Sequence, residues 1–213
     1  MNIINPKTVR KVKANGTVGK RLVLEYGNKI SVEELIENKD YLQWLYILLN
    51  HTKIESDIWY YENLNKHFQQ QGYVSKEDHI KILQYKMKRG EFRPLLMGFA
   101  KKLDEDEVKQ ASEKAIKEED GLKAIEIYKK LKGTGYALAS AVLSAQRNGD
   151  VPFMSDDLLS VILDKSPKYN LDELKKCIEY TTKLAQDFNQ HQKVWTWTPA
   201  QVERVIYVVT QDK

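Results

Sequence analysis

Two short stretches of this chain carry residues of the types and spacing that chemistry needs. In Leu131-Lys132-Gly133-Thr134-Gly135, a Gly-x-Gly separates two apolar-periodic runs. Neither glycine has a Cβ, so the chain can turn tightly there and let another backbone approach closely. The amides that open the second run then point out of its positive end, an arrangement suited to a phosphate, with Lys132 as a supplementary charge. Further on, the segment VPFMSDDLLSVI places a proline before Ser155, Asp156 and Asp157. A carboxylate held there can stabilise a developing positive charge or activate a water. Acids and a serine are also what a helix N-terminus carries, where they cap amides and favour the dipole.

The elements around these residues read as helices. Asp120 caps GLKAIEIYKKL, with Ile125, Tyr128 and Leu131 on one face. After the glycines, Leu138, Ala141, Val142 and Ala145 recur at i, i+3, i+4 and i+7. Ala137, Ala139, Ser140 and Ala141 are small enough to let the two helices of this 121–146 hairpin pack tightly. A single glycine suffices for a helix C-cap, so a second one points to a functional turn.

This order resembles the helix-hairpin-helix DNA glycosylase superfamily, in which a Gly-x-Gly hairpin precedes a Pro-rich loop and a catalytic aspartate. The resemblance implies a bundle of about ten helices in two lobes. Its hairpin amides hold a DNA phosphate, and its hairpin carbonyls often hold a monovalent cation. The contact would run mainly through phosphates and be sequence-blind. Asp156 matches the superfamily's aspartate best, since Leu159 and Ile162 follow at the apolar positions behind it, and Asp157 is the alternate. Bifunctional relatives place a Schiff-base lysine where this chain has Ala137, so an active member would be a monofunctional base-excision glycosylase with water as nucleophile. The other reading keeps the fold as an inactive DNA-binding or protein-interaction module. Relatives end an apolar helix in a polar DNA-probing residue, often Gln; after Leu48-Leu49-Asn50-His51, Thr52 falls near that place as a weak substitute.

Lys88-Arg89-Gly90-Glu91-Phe92-Arg93-Pro94 puts three cations on a turn between helices, and Arg89 and Arg93 are candidate phosphate contacts. Together with the hairpin and VPFMSDD, this turn resembles a group of eukaryotic proteins that carry KxxRGxxRP, LKGxGxAxASAVL and PFMSDE-like segments. Trp44, Trp59 and Tyr60 could line a pocket that stacks on an extruded base, or could be core.

The rest of the chain supplies a scaffold. From Ser31 the pattern is helical, with Ser31/Glu34 and Ser75/Asp78 as capping pairs and Thr198-Pro199 opening the last helix. Residues 1–30 form a basic segment in which Lys7, Arg10, Lys11, Lys13, Lys20 and Arg21 precede any acid. An Asn15-Gly16 turn there could join TVRKVKA and RLVLEYG as a small β-hairpin. Residues 31–213 are expected to form one mostly α domain. With 42% hydrophobic and 30% charged residues among 213, the composition suits a core-forming protein with no membrane partner. A net charge of +4 permits DNA as partner without demanding it. One cysteine, Cys177, excludes an internal disulfide and a four-cysteine cluster and fits a reducing compartment, consistent with a nuclear location. The four histidines have no metal-ligand spacing, so no metal and no other cofactor is expected.

Overall fold

The computed structural model describes residues 2–27, 30–38, 40–50, 55–147, 149–191, 193 and 195–211. Two short strands open the chain, β1 (Asn2–Asn5) and β2 (Arg10–Lys13), and every described element after them is a helix. The helices are α1 (Thr17–Tyr26), α2 (Val32–Asn38), α3 (Tyr41–Asn50), α4 (Glu55–Ile58) running through a π-helical turn (Trp59–Asn63) into α5 (Leu64–Gln71), and α6 (Lys76–Arg89). Then come α7 (Pro94–Lys102), α8 (Glu105–Lys117), α9 (Gly121–Tyr128), α10 (Tyr136–Gln146), α11 (Asp156–Ile162), α12 (Leu171–His191) and α13 (Pro199–Gln211). The protein is therefore mostly α with a short antiparallel hairpin near its N-terminus.

That hairpin forms elsewhere than its Asn-Gly dipeptide suggests. Asn5 pairs with Arg10 and Ile3 with Val12, so the turn spans residues 6–9. The segment after Gly16 is instead α1, because Leu22 and Tyr26, one turn apart, bury together against Tyr46 of α3. The Asn50 carboxamide pairs with the Ile4 backbone, accepting from its N–H at 2.7 Å and donating to its carbonyl at 3.0 Å. One side chain thereby continues the ladder on the edge of β1.

Several helices start where their side chains dictate. Ser75 and Asp78 form a reciprocal capping box at α6, and Ser31 and Glu34 do the same at α2. The carboxylates of Asp104 and Asp120 each accept two amides at the starts of α8 and α9.

Helix α10 is the axis of the molecule. Every residue from Ala137 to Gln146 is buried, with α5, α6, α9 and α12 around it. Its small side chains admit close neighbours, and polar groups fix the register. The Tyr60 hydroxyl donates to the Ala141 carbonyl at 2.6 Å, the Asn65 amide to Ala145 at 2.7 Å, and the Met154 amide to Ser140 Oγ at 2.9 Å. Just past its end, Arg147 donates to the carbonyls of Ala115, Glu118 and Glu119, closing the C-terminus of α8. One contiguous core takes side chains from Val32 to Val209, including Trp44, Phe68, Tyr128, Phe153 and Phe188. Each such side chain contributes about 1.5–3 kcal/mol by leaving water. This core is what holds the start of α10 at the surface.

Candidate nucleic-acid interface and carboxylate site

The hairpin turn is built by its own backbone. After α9 the chain tightens, Leu131 N–H bonding the Tyr128 carbonyl at 3.2 Å and Thr134 N–H the Leu131 carbonyl at 3.0 Å. In that four-residue turn Gly133 occupies the third position with φ +81°, the left-handed conformation a type II turn requires. Phe99 of α7 packs directly on Gly133, and Lys132 sits over the Phe99 ring at 5.7 Å. Gly135, the N-cap of α10, has ordinary extended dihedrals, no side-chain cap, and open space where a Cβ would be.

The start of α10 is consequently uncapped. Gly135 accepts the Ala139 amide at 2.9 Å, while the amides of Tyr136, Ala137 and Leu138 have no acceptor among the described residues. Thr134 is buried, and its hydroxyl also has no partner there. Lys130 and Lys132 are exposed beside the turn. Amides and dipole at the start of α10, with two lysines exposed nearby in the chain, are chemistry suited to an oxyanion.

The two aspartates have different environments. Asp157 is buried at the start of α11, accepting from Arg89 Nη2 at 3.2 Å, Thr210 Oγ1 at 2.7 Å and Gln211 Nε2 at 3.2 Å. Asp156, one residue earlier, is partly exposed. Its Oδ1 accepts from the Tyr169 hydroxyl at 2.8 Å, and its Oδ2 lies against Gly90, where a Cβ would come within 2.4 Å. Tyr169 holds a left-handed backbone, φ +53°, unusual for an aromatic residue. Its ring faces Arg93 at 5.4 Å and Lys86 at 6.0 Å. Burial and the bond to Asp156 push the Tyr169 hydroxyl up to about 12. Burial lowers the Lys86 amine from its ordinary value, with Asp156 opposing. Asp156 and Tyr169 border an open groove of about 610 Å³, with Leu159, Ser160, Leu163 and Pro167.

The other candidates fall in different places. Arg89 is a structural cation, its side chain 3% exposed, and in this conformation it has no surface to offer a phosphate. Its guanidinium donates to the Tyr61 hydroxyl at 2.6 Å and to Glu203 at 2.5 Å, and lies 3.6 Å from the Tyr207 ring centroid. Burial opposes this charge, but Glu203, Tyr61, Tyr85 and Asp157 outweigh it and hold its pKa well above the usual value. Glu203, a lone acid in the apolar run of α13, is fully buried with Ser155 donating to it at 2.7 Å. That acid within VERVIYVV was the signal for this centre in the sequence. Arg93 is exposed and pairs with Glu91 at 3.2 Å.

Trp44 and Tyr60 are core residues. Trp59 lines a separate groove of about 890 Å³ with Tyr85, Met87 and Phe92, sharing no residue with the groove at Asp156. Among the described residues, carboxylate and aromatic candidates thus do not meet in one cleft. Ala137 is buried in α10. Thr52 lies outside the described residues. Cys177 is fully buried, and burial pushes its thiol up to about 12, away from reactivity. Among the described residues no group of three or more His, Cys, Asp or Glu could hold a metal ion, and no helix is long and apolar enough to cross a membrane. Compared with family models, curated proteins and solved structures, the chain matches none.

Proposed function

We propose that the chain is a helix-hairpin-helix DNA-binding protein of the glycosylase type, gripping one phosphate of a duplex with the turn between α9 and α10. The observation that carries this reading is the uncapped start of α10, three amides without acceptors among the described residues, close in the chain to exposed Lys132. An oxyanion there would satisfy donors the chain leaves open, and the dipole would favour it. The contact reads no base. A monovalent cation would suit the same turn, where backbone carbonyls and the Thr134 hydroxyl, without a partner among the described residues, are hard oxygen ligands. Such an ion would add positive charge beside the phosphate. The test is duplex affinity across a salt series: log K falls with log salt, and Lys132→Ala lowers the slope by about one. A slope unchanged in that variant would remove Lys132 from the contact.

A second reading, base excision, is favoured by Asp156. It is the aspartate left accessible when Asp157 pairs with Arg89. In that chemistry Asp156 would stabilise the cationic sugar as the base leaves, and water would complete the reaction. Tyr169 would hold the carboxylate in place. The groove beside it is open, so the base-binding wall would have to come from the DNA complex itself. Incubation with damaged-base duplexes, then alkali, tests this. Strand breaks lost by about 100-fold or more in Asp156→Asn, with DNA binding retained, would support excision. Breaks on no substrate would leave DNA binding alone.

A further inference from the structure

Helix α7 turns an apolar face to solvent. Phe92 is 66%, Leu95 79% and Phe99 38% exposed. Leu95, Gly98, Phe99 and Lys102 fall at i, i+3, i+4 and i+7, one face of the helix. The opposite face already anchors α7, through buried Ala100 and Leu103 and partly buried Leu96 and Met97. Phe92 and Leu95 on this side have no place in the core, while Phe99 also packs on Gly133, and exposed apolar surface of this kind marks an interaction site.

Three further features describe the occupant. Gly98 sits inside a helix, where glycine costs about 1 kcal/mol relative to alanine. A Cβ there would meet nothing within 4 Å, so nothing among the described residues requires the glycine. Bare backbone lets another backbone come close. At its N-terminal end the stripe passes through Phe92 into the open groove of about 890 Å³ walled by Trp59, Tyr85 and Met87, large enough for an anchoring side chain. Cations flank the stripe at both ends: Lys88 and Arg93 at one, Lys101, Lys102 and Lys132 at the other. No acid occurs from Phe92 to Leu103; Glu55 lines the groove and Glu91 pairs with Arg93.

These features argue against two occupants. A second copy of the chain would set Lys101 and Lys102 against Arg93 or against each other, like charges in either orientation. A single strand of nucleic acid would suit the cations, but the most exposed member, Leu95, has no π-face on which a base could stack. We infer that α7 and the Trp59–Phe92 groove dock an amphipathic helix of another protein. Its apolar side chains, at i, i+3 or i+4, and i+7, lie along Phe92, Leu95 and Phe99. Acids on its polar side reach Lys88 and Lys102.

Fluorescence anisotropy of the full chain tests this with a labelled peptide of about 18 residues, enough for several helical turns. The peptide carries Leu and Phe at that spacing and Glu elsewhere; controls are a scrambled peptide of equal composition and an oligo-dT strand of about 16 nucleotides. The patterned peptide should bind more tightly than the scrambled one. Leu95→Glu and Phe92→Ser should each weaken it roughly tenfold or more. Gly98→Gln should weaken it while leaving the thermal midpoint equal or higher, since glutamine is the better helix former. Three results would overturn the inference: equal binding of scrambled peptide, binding unchanged in all three variants, or binding of oligo-dT alone that the same substitutions abolish. Sedimentation showing a wild-type dimer that Leu95→Glu dissolves would also overturn it, assigning the face to self-association.

Discussion

Phe99 is the reason position 133 has no side chain: a Cβ on Gly133 would stand 2.5 Å from the Phe99 Cβ. Helix α7 thus braces the hairpin turn from outside, and the left-handed φ of +81° adds a second, independent requirement for glycine. Gly133→Ala is expected to destabilise the protein by about 1–3 kcal/mol, from backbone strain and the displaced ring. Urea denaturation measures it. An unchanged midpoint would mean that the turn relaxes without cost.

Two arginines that bracket the turn after α6 should behave in opposite ways. Arg89→Ala leaves Glu203 and Asp157 buried without their cation, and should cost about 3–5 kcal/mol. Arg93→Ala breaks one exposed pair with Glu91 and should change stability by about 0.5 kcal/mol or less. Parallel denaturation curves check the contrast. Equal effects would contradict the placement of Arg89 at the centre of the fold.

His79 gives the protein a dependence on acid. Its ring is buried, paired through Nδ1 with the Tyr128 hydroxyl at 2.9 Å, and burial pushes its pKa from 6.5 down to about 4. The unfolded chain therefore binds a proton that the folded chain refuses between those values. Stability rises with pH across that window and is lost as pH falls from about 6.5 towards 4. Between pH 7.5 and 5 the loss from this group is about 2 kcal/mol. Denaturation at the two pH values should show it in the wild type and not in His79→Gln. Equal losses in both proteins would assign the dependence to other groups.

Local signals made much of the scaffold legible. Capping pairs at Ser31/Glu34 and Ser75/Asp78, and caps at Asp120 and Thr198, sit where short-range hydrogen bonding places them. The hairpin helices followed from period and glycine spacing. Long-range relationships were hidden. Arg89 looked like a surface cation because its three polar partners lie far away in sequence, on the π-helical turn, α11 and α13. Trp44 and Trp59 looked alike, yet Trp44 packs between Phe188 and Trp197 while Trp59 reaches a groove. The segment after Gly16 carries β-branched and apolar residues that could have served a strand. Only the docking of Leu22 and Tyr26 on Tyr46, a tertiary contact, makes it a helix.

The most direct measurement uses Gly135→Asp. This position is an extended N-cap with open space for a side chain, and aspartate is a better cap than glycine. The fold should be unchanged or slightly stabilised. The new carboxylate, however, would occupy the amides proposed to hold a phosphate and would repel it. Duplex DNA binding measured across a salt series should therefore fall by at least tenfold, with the thermal midpoint equal or higher. DNA binding retained at wild-type strength in this well-folded variant would contradict phosphate recognition by the hairpin.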